Sequence, residues 1–480
     1  MTQTTRHRAA PPALGLLLLA SIAAPALAAD LLVPDDFATI QSAVDAAADG
    51  DRILIAPGTY VEFVQVADKQ LVIEGADGAS STELAGDGTA GFLLSITGEP
   101  AQIELRGLTL TGGFGEAGSL GAGPGGAVSV DAATLIVRDS RFADNAGISG
   151  AAIRVVEGTL SVEDSLFENN QALQGGAVYL ENATASIDSS EFTGNEATNF
   201  GGAIAVFNGT TFSLADATLS DNTANQFGGA IYSQHADLDL TGLLATDNGT
   251  AEQGEHGGWI ISTFGGGALY ATGSNGRLQD SRILGNVAFA GSGVYIAGDG
   301  ELELVNNLIA GNGAACNCGQ GAVYANASSP VLVNNTIAGN GGVFGVFTTY
   351  NAFPTLRNTI VAARPEGSEI FAPVGGNGLS DIDYTLLQGE SGGVELGPNV
   401  IVVEDFPLID PENDYSPLEG SAVIDAGRNE ALPPDVTTDL LGNPRIVDAT
   451  GTGEIVDLGA IEFGAAPMPD RISHKNFMAH

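Results

Sequence analysis

The amino-acid sequence predicts an all-β solenoid, in which short strands from successive repeats stack into one elongated core. The repeat is about 25 residues long, and its first landmark is Gly-Gly-Ala followed by an aliphatic residue, as at Gly125, Gly175, Gly201, Gly228 and Gly266. Runs of four to six residues that alternate between apolar and polar lie between the landmarks and are typical of strands. Because one unit cannot bury its apolar face alone, the copies are expected to stack at the roughly 4.8 Å spacing of paired strands.

The second landmark of the repeat is an apolar residue three positions before an asparagine. These asparagines follow one another at steps of 25, 25, 27, 64, 26 and 28 residues, and the long step contains two coils with one further asparagine. Asparagine tolerates a left-handed backbone, and its amide can bond to the same group one coil away. We therefore expect a structural role at Asn145, Asn170, Asn195, Asn222, Asn248, Asn286, Asn312 and Asn340.

Composition excludes several classes of protein. The 480 residues include 58 Asp+Glu against 16 Lys+Arg, a formal net charge of −42, so nucleic-acid binding is not expected. The hydrophobic fraction of 44% is too high for a disordered chain, and the 67 glycines follow no triplet period of the collagen type. Length alone suggests about three domains of roughly 150 residues each, but the repeats indicate one continuous solenoid instead.

Residues 1–28 have the pattern of an export signal. Arg6 and Arg8 form a basic start, residues 14–22 are apolar, and Ala26-Leu27-Ala28 is a small-x-small cleavage site. Cleavage there would remove the two arginines and change the net charge from −42 to −44. Beyond the signal, the sequence has no apolar run near the roughly 20 residues that a membrane-spanning helix needs. We expect a secreted or surface-associated protein without a transmembrane segment.

The ends of the chain depart from the repeat. Residues 36–48 are predicted to form a helix that covers the first open coil, with Asp35 or Asp36 as N-cap and Gly50 as stop. Its apolar face consists of Phe37, Ile40, Val44 and Ala47. The β-helix is expected to extend over residues 29–375, a proline-rich closing region over 376–464, and a polar tail over 465–480.

Several of these segments resemble known families. Residues 37–60 resemble the opening of pectate-lyase-like right-handed parallel β-helix proteins, and the repeats resemble those of exported bacterial β-helix proteins, including polymorphic outer-membrane proteins. Residues 405–463 resemble the closing region of choice-of-anchor Q domain proteins, through the segments 421–427, 439–445 and 457–462. The resemblance implies a right-handed parallel β-helix solenoid with an N-terminal capping helix. It implies no one activity, because the fold carries lyases, hydrolases, esterases and non-enzymes.

One outward column of the predicted solenoid is aromatic. The aliphatic residue after each Gly-Gly-Ala must point into the core, so the next residue points outward. Five successive coils place an aromatic residue there, and we expect them to be exposed: Tyr232, Tyr270, Tyr295, Tyr324 and Phe347. The rings could stabilise neighbouring strands, at about 0.5 to 1.5 kcal/mol per stacked pair. Alternatively, they could form a platform on which sugar rings stack.

An insertion interrupts the regular spacing beside this column. The distance from Tyr232 to Tyr270 is 38 residues, so about a dozen extra residues protrude within 249–264. This loop contains the only tryptophan, Trp259, which could bind substrate. It also contains three candidate catalytic residues, Glu252, Glu255 and His256. Long loops on regular solenoids often carry function. A lyase or glycoside hydrolase using such carboxylates is the alternative to a non-catalytic protein.

Two further groups leave alternatives open. A turn column contains Asp139 and Asp164, which are expected to accept backbone N–H bonds at a bend, with bound Ca²⁺ as the sharper alternative. Cys316 and Cys318 could form a local disulfide, remain free thiols or contribute to a metal site. No other cofactor is expected.

The sequence therefore favours an exported, non-catalytic surface or secreted protein. A scaffold or adhesin that binds polysaccharide or cell-surface glycan along the aromatic column is the first hypothesis. The second is a polysaccharide lyase or hydrolase with its site at residues 249–264. The net charge of −42 weighs against acidic polysaccharides as ligands, because the field of the protein would repel them.

Overall fold

The computed structural model describes a large part of the chain. The described residues are 28–114, 126–250, 265–313, 321–341, 344–349, 351–362, 370–371, 381–389, 391–392, 394–404, 409–410, 414–448, 451 and 453–465. The predicted export signal, the cysteine pair and nearly all of the polar tail lie outside them.

Three long parallel sheets wind around one core, which confirms the predicted β-solenoid. Each coil passes through sheet two, sheet one and sheet three in turn, and every strand pairs with its equivalents in the preceding and following coils. Within the described residues, sheets one and three have 14 strands each and sheet two has 13. A short fourth sheet of four strands lies between sheets three and two in the middle coils.

The strands are short, as the repeat predicts. Sheet one consists of Asp30–Val33, Arg52–Ile55, Gln70–Gly75, Gln102–Arg106, Thr134–Arg138, Thr159–Glu163, Thr184–Asp188, Thr211–Ala215, Asp237–Thr241, Asn275–Gln279, Leu302–Val305, Val331–Val333, Thr355–Arg357 and Asp381–Ile382. Sheet two consists of Val64–Ala67, Phe92–Thr97, Gly126–Asp131, Ile153–Val156, Val178–Glu181, Ile204–Phe207, Ile231–Gln234, Leu269–Thr272, Val294–Ala297, Val323–Asn326, Val346–Thr349, Ile370–Phe371 and Ser391–Gly392.

Sheet three consists of Gly58–Val61, Thr82–Ala85, Thr109–Thr111, Arg141–Ala143, Leu166–Glu168, Glu191–Thr193, Thr218–Ser220, Leu244–Thr246, Arg282–Leu284, Leu308–Ala310, Thr336–Ala338, Thr359–Ala362, Thr385–Gln388 and Ile401–Val403. The fourth sheet consists of Gln171–Gln174, Glu196–Phe200, Thr223–Ala224 and Gly249–Thr250.

The predicted asparagine column forms a hydrogen-bonded ladder inside the core. Each amide nitrogen donates to the amide oxygen of the next coil, for example from Asn170 Nδ2 to Asn195 Oδ1 at 2.9 Å and from Asn195 Nδ2 to Asn222 Oδ1 at 2.9 Å. Asn195 Nδ2 also donates to the carbonyl of Phe167 at 3.0 Å, and the backbone N–H of Asn170 donates to Asn195 Oδ1 at 3.0 Å. The ladder asparagines are fully buried, so each coil satisfies the polar groups of its neighbours.

A left-handed backbone was expected at the ladder asparagines, but these residues do not have it. It lies at the residue before each of them, such as Asp144 and Asn169, both at φ 54°. A second left-handed corner separates sheets one and three. There Gly242, at φ 64°, stands in the column of Asp residues, and its left-handed backbone is one that glycine adopts without strain.

A short helix, Ile40–Ala46, closes the first coil. Its N-cap is Thr39, which accepts from Ser42 N at 3.1 Å, and not Asp35 or Asp36 as expected. Asp36 instead accepts the backbone N–H of Leu32 at 3.3 Å, within the preceding turn. Ile40 and Val44, from the predicted apolar face, are buried in the main core, so the helix covers its N-terminal end.

Charged side chains hold both ends of this helix. The Glu62 carboxylate accepts from the free backbone N–H groups of Ile40 at 2.9 Å and Gln41 at 3.0 Å. Lys69 Nζ donates to the carbonyls of Val44 at 2.6 Å and Ala47 at 2.9 Å. A negative group at the N-terminus and a positive group at the C-terminus satisfy the unpaired backbone groups and complement the helix dipole.

The segment expected to close the stack, 376–464, has two parts. Its first strands continue the three sheets as far as Ile401–Val403, and residues 394–400 pack Val394, Leu396 and Val400 against the end of the main core. The second part comprises the described residues between 409 and 463, here called the C-terminal strap. It contains one 3₁₀ turn, Asn429–Ala431, and packs against the outward face of sheet three.

The ladder generates a prediction about stability. Asn195→Ala removes the bonds to Asn170, Asn222 and Phe167 and leaves buried polar groups without partners. We expect a loss of about 2 to 4 kcal/mol in the free energy of unfolding, measured by urea denaturation followed by circular dichroism. Ser186→Ala, at an exposed outward position of sheet one, is the control and should stay within about 0.5 kcal/mol of the parent. Equal effects of the two changes would contradict a stabilising ladder.

Candidate functional site

The five aromatic residues singled out in the sequence form one continuous stack on the outward face of sheet two. Parallel pairing places Tyr232 beside Tyr270, Tyr270 beside Tyr295, Tyr295 beside Tyr324, and Tyr324 beside Phe347. The ring centroids are 5.5, 4.6, 4.6 and 5.2 Å apart in that order, and the interplanar angles range from 9° to 21°. The predicted column is therefore present, with its rings stacked nearly parallel.

The expectation that this column is exposed is wrong. Tyr232, Tyr295, Tyr324 and Phe347 are each only 6% exposed, and Tyr270 is half-buried. Because the rings stack along the solenoid, each interior ring has both of its faces covered by the neighbouring coils. A sugar ring cannot stack on a face that another ring already occupies, so only ring edges and hydroxyl groups remain available.

Further phenylalanines cover the side of the column, and the sequence analysis missed them. Phe200 lies 4.8 Å from Tyr232, Phe227 lies 4.6 Å from Tyr270, and Phe344 lies 5.0 Å from Phe347, measured between ring centroids. Phe289 packs against the same cluster. A signal was available, because Phe200 and Phe227 directly precede the Gly-Gly landmark in their repeats.

Uncharged polar groups line the other side of the stack. The next outward position contributes a polar residue in four of the five strands, Gln234, Thr272, Asn326 and Thr349, and Ala297 in the fifth. Asn326 Nδ2 donates to the Tyr295 hydroxyl at 2.8 Å, and the hydroxyls of Tyr324 and Thr349 are 3.0 Å apart. We call the five-ring column, its four covering phenylalanines and these four polar residues the aromatic band.

The aromatic band is electrically neutral in a strongly acidic protein. In the six strands of sheet two from Ile204–Phe207 to Val346–Thr349, every outward residue is uncharged. Charged outward residues of this sheet occur in earlier coils, for example Asp131, Arg154 and Glu181. The tyrosines of the band also stay uncharged, because burial raises the pKa of Tyr232 and of Tyr270 to about 12.

The predicted site residues of the insertion and the cysteine pair cannot be located relative to this band, because the structure describes none of them. Glu252, Glu255, His256 and Trp259 lie outside the described residues, as do Cys316 and Cys318. The described chain leaves the fourth sheet at Thr250 and resumes at Gly265, which forms bridges with Phe227 and Ala290 in the neighbouring coils. The catalytic alternative at residues 249–264 therefore stays a prediction.

Asp139 and Asp164 occupy equivalent left-handed corners of successive coils, each at φ 48°, and both are exposed. Their backbone N–H groups donate to carbonyls of the following coil, Glu163 and Asp188, at 3.3 Å each. Across the described part of the chain, no group of three His, Cys, Asp or Glu residues could hold a metal ion. Calcium binding at this pair stays an untested prediction.

A buried charged cluster in the C-terminal strap was not predicted as a site. Arg445 and Glu462 have side chains that are each 1% exposed, with Arg445 Nη1 3.7 Å from a carboxylate oxygen of Glu462. Asp457 accepts the backbone N–H groups of Asp425 at 2.6 Å and Phe463 at 2.7 Å. Burial raises the pKa of Asp457 to about 6 and that of Glu462 to about 8. Arg445, Asp457 and Glu462 lie in the segments 439–445 and 457–462, through which the C-terminal part of the chain resembles a known closing region.

Burial of the aromatic band generates a titration prediction. Ordinary tyrosines ionise near a pKa of about 10, whereas Tyr232 and Tyr270 should ionise only near 12. A raised pKa means that the folded state holds its protons more tightly, so this contribution to stability is present below pH 10 and lost as the pH rises through 12. Tyrosinate absorbance, recorded in a pH jump before unfolding, should show this late component.

The variant with Tyr232→Phe and Tyr270→Phe should lose the part of the late component that these two tyrosines contribute, while Tyr179, whose pKa burial also raises, still ionises late. The denatured chain should lack the late component altogether. Ionisation of both tyrosines at the ordinary value in the folded protein would contradict a buried column.

Comparisons with known proteins agree with the architecture. The family model described as a right handed beta helix region matches residues 256–372, and the Chlamydia polymorphic membrane protein repeat matches residues 164–181, 189–206 and 216–234. No curated protein sequence matches the chain. In the part of the chain that the structure describes, none of the helices has the length and apolarity needed to cross a membrane.

Solved structures similar to this chain include three carbohydrate-active proteins. The A-module of Azotobacter vinelandii mannuronan C-5 epimerase AlgE6 is 15% identical, with a TM-score of 0.40 over 76% of this chain and 93% of that chain. The catalytic unit of the GH87 α-1,3-glucanase from Streptomyces thermodiastaticus strain HF3-3 is 16% identical, with a TM-score of 0.38 over 76% and 67%. Pectate lyase Pel9A is 11% identical, with a TM-score of 0.31 over 88% and 90%. The repeats, the stacked parallel sheets and the matching family models together identify this chain as a right-handed parallel β-helix repeat protein.

Proposed function

We propose that this protein acts outside the cytoplasm as a non-catalytic surface scaffold or adhesin, and that it binds an uncharged glycan along the aromatic band. The predicted export signal supports the location, and the matched polymorphic membrane protein repeats point to a surface or outer-membrane-associated protein. The observation that carries the glycan proposal is the neutrality of the aromatic band in a chain with a net charge of −42.

The geometry favours contact along the edge of the stack. A chain lying along the solenoid would meet tyrosine edges together with the amides and hydroxyls of Gln234, Thr272, Asn326 and Thr349. Gln234 with Thr272, and Asn326 with Thr349, are neighbours at roughly the 4.8 Å spacing between parallel strands, and Ala297 separates the two pairs. Amides and hydroxyls both donate and accept hydrogen bonds, as sugar hydroxyls require. Tyr270 and Phe227 are half-buried and offer apolar edges to the pyranose rings.

Charge selects between glycan classes. Acidic polysaccharides would approach a strongly negative protein against its field, whereas an uncharged chain meets no such barrier. No group in the described strands of the band, from Ile231–Gln234 to Val346–Thr349, could neutralise a uronate carboxylate. We therefore expect neutral glucans, mannans or galactans to bind in preference to alginate or pectin.

The proposal is tested by affinity electrophoresis of the purified full chain in gels that contain neutral or acidic polysaccharides. Gln234→Ala combined with Thr272→Ala should weaken retention by about fivefold or more, since each of the two lost hydrogen bonds contributes about 0.5 to 1.5 kcal/mol. The matched control is Thr211→Ala combined with Ser213→Ala, two outward positions on sheet one. The control should bind like the parent.

Three outcomes would contradict the proposal. The first is the absence of retention by any neutral glycan, and the second is equal loss of binding in the band variant and the control. The third is the appearance of new reducing ends or unsaturated products during incubation, which would identify an enzyme instead of a non-catalytic protein.

A further inference from the structure

The C-terminal strap covers an apolar surface that the solenoid alone would expose. Over the last coils, sheet three carries polar Thr336 and six apolar outward residues that are all at most 4% exposed: Leu308, Ala310, Ala338, Ile360, Ala362 and Leu386. The strap buries them under its own apolar side chains, which are Ile409, Val423, Leu440, Leu458, Ala460 and Ile461. In earlier coils the equivalent outward position is mixed: it is polar at Glu191 and Thr218 and apolar at Leu166 and Leu244.

The strap is attached through a small set of polar contacts at one corner of the solenoid. In the last coils the left-handed corner between sheets one and three carries asparagines in place of aspartates. Asn306 Nδ2 donates to the carbonyl of Thr438 at 3.2 Å, and Asn358 exchanges two bonds with the backbone of Arg428 at 2.7 and 3.0 Å. Farther along, Ala460 N donates to Thr336 Oγ1 at 2.9 Å.

The attachment is centred on one buried cation. Arg445 donates to the carbonyl of Gly459, and in the amide orientation that satisfies both groups, Asn334 Oδ1 accepts from Arg445 Nε at 3.2 Å. Arg445 thus ties two stretches of the strap to the solenoid corner. Its Nη1 atom is buried and makes no hydrogen bond among the described residues. This nitrogen therefore interacts with the Glu462 carboxylate, 3.7 Å away, through charge alone.

Negative groups outnumber positive groups around this cation. Asp439, Asp457 and Glu462 are each at most 5% exposed, and Asp425 of the strap and Asp280 of the solenoid corner also face the cluster. Among the described residues, Arg282 of sheet three is a second cation near the cluster, and it faces Asp439 and Asp414. Asp439 accepts from the backbone N–H groups of Leu441, Asn443 and Glu462 at 2.8 to 3.1 Å.

We propose that the C-terminal strap is a pH-dependent latch: it stays closed over sheet three while a carboxyl beside Arg445 retains a proton, and it opens when all three carboxyls ionise. A buried guanidinium balances one carboxylate at close range, but three carboxylates in the same low-dielectric space repel one another. Opening places all of them in water. The latch does not depend on what the aromatic band binds.

The direction of the pH dependence follows from the raised pKa values. The closed strap holds protons on Glu462, with a pKa of about 8, and on Asp457, with a pKa of about 6, more tightly than an open strap does. Closure is therefore most favourable below the ordinary carboxyl range and weakens as the pH rises through 6 and then 8. Alkaline conditions should release the strap and uncover the apolar face of sheet three.

The test is hydrogen exchange of the full-length protein, read by mass spectrometry across the range from about pH 6 to pH 9. Protection factors of strap peptides, within 414–448 and 453–463, should fall by up to about tenfold per pH unit as the cluster loses its last proton. Those of the sheet-one strands should stay constant. A hydrophobic dye should gain fluorescence over the same range as the apolar face is uncovered.

Glu462→Gln keeps the side-chain shape and removes the ionisation, so its strap should remain protected at alkaline pH. Asp457→Asn should also keep the strap protected to higher pH than in the parent. It replaces Glu462→Gln as the test variant if the strap of Glu462→Gln does not close. Glu430→Gln, at a strap carboxylate whose side chain is 76% exposed, is the matched control and should keep the parent's pH profile. Strap protection that does not change with pH in the parent, or that changes equally in Glu462→Gln, would overturn the proposal.

Discussion

The alignment of each coil with its neighbours is the constraint on which the rest of the structure depends. A strand slip of one residue would turn every inward side chain outward, and it would also separate the buried asparagine amides that bond from coil to coil. The insertion at 249–264 illustrates how strong this constraint is. Asn248 Nδ2 donates to Asn286 Oδ1 at 2.9 Å across a 38-residue coil, the same distance as between Asn170 and Asn195 across 25 residues. Extra residues are accommodated between strands, where they leave the ladder unchanged.

The same stacking rule explains why the outward aromatic column does not behave like exposed aromatic residues. A residue repeated at one position of successive coils meets its own copies above and below, so interior rings such as Tyr295 lose both faces to their neighbours. Phenylalanines from the adjoining turn, such as Phe227, then cover one side of the stack. What remains is a neutral band of edges, hydroxyls and amides. This surface suits hydrogen bonding to an uncharged ligand better than face-to-face stacking.

The polar corner columns show how a structural position acquires a second role. In early coils the left-handed corner between sheets one and three carries exposed aspartates such as Asp139 and Asp164. In the last coils the same position carries Asn306, Asn334 and Asn358, whose amides bond to the C-terminal strap. Asparagine retains the left-handed preference while adding a donor and removing a charge, both of which a buried attachment point requires. The ends of the main core are closed separately, by the N-terminal helix and by residues 394–400.

The sequence by itself determined the features that depend on local pattern: the repeat length, the inward alternation of the strands, the asparagine ladder and the position of the first helix. Each is set by residues within one coil or by the same residue one coil later. It did not determine the N-cap, because Asp36 bonds to Leu32 and leaves the cap to Thr39. Only the tertiary structure decided the burial of the aromatic column and the assembly of the Arg445 cluster on the solenoid. Both depend on contacts between elements that the repeat does not relate, as Ala460 and Thr336 show: they are 124 residues apart in sequence, yet their N and Oγ1 atoms are 2.9 Å apart.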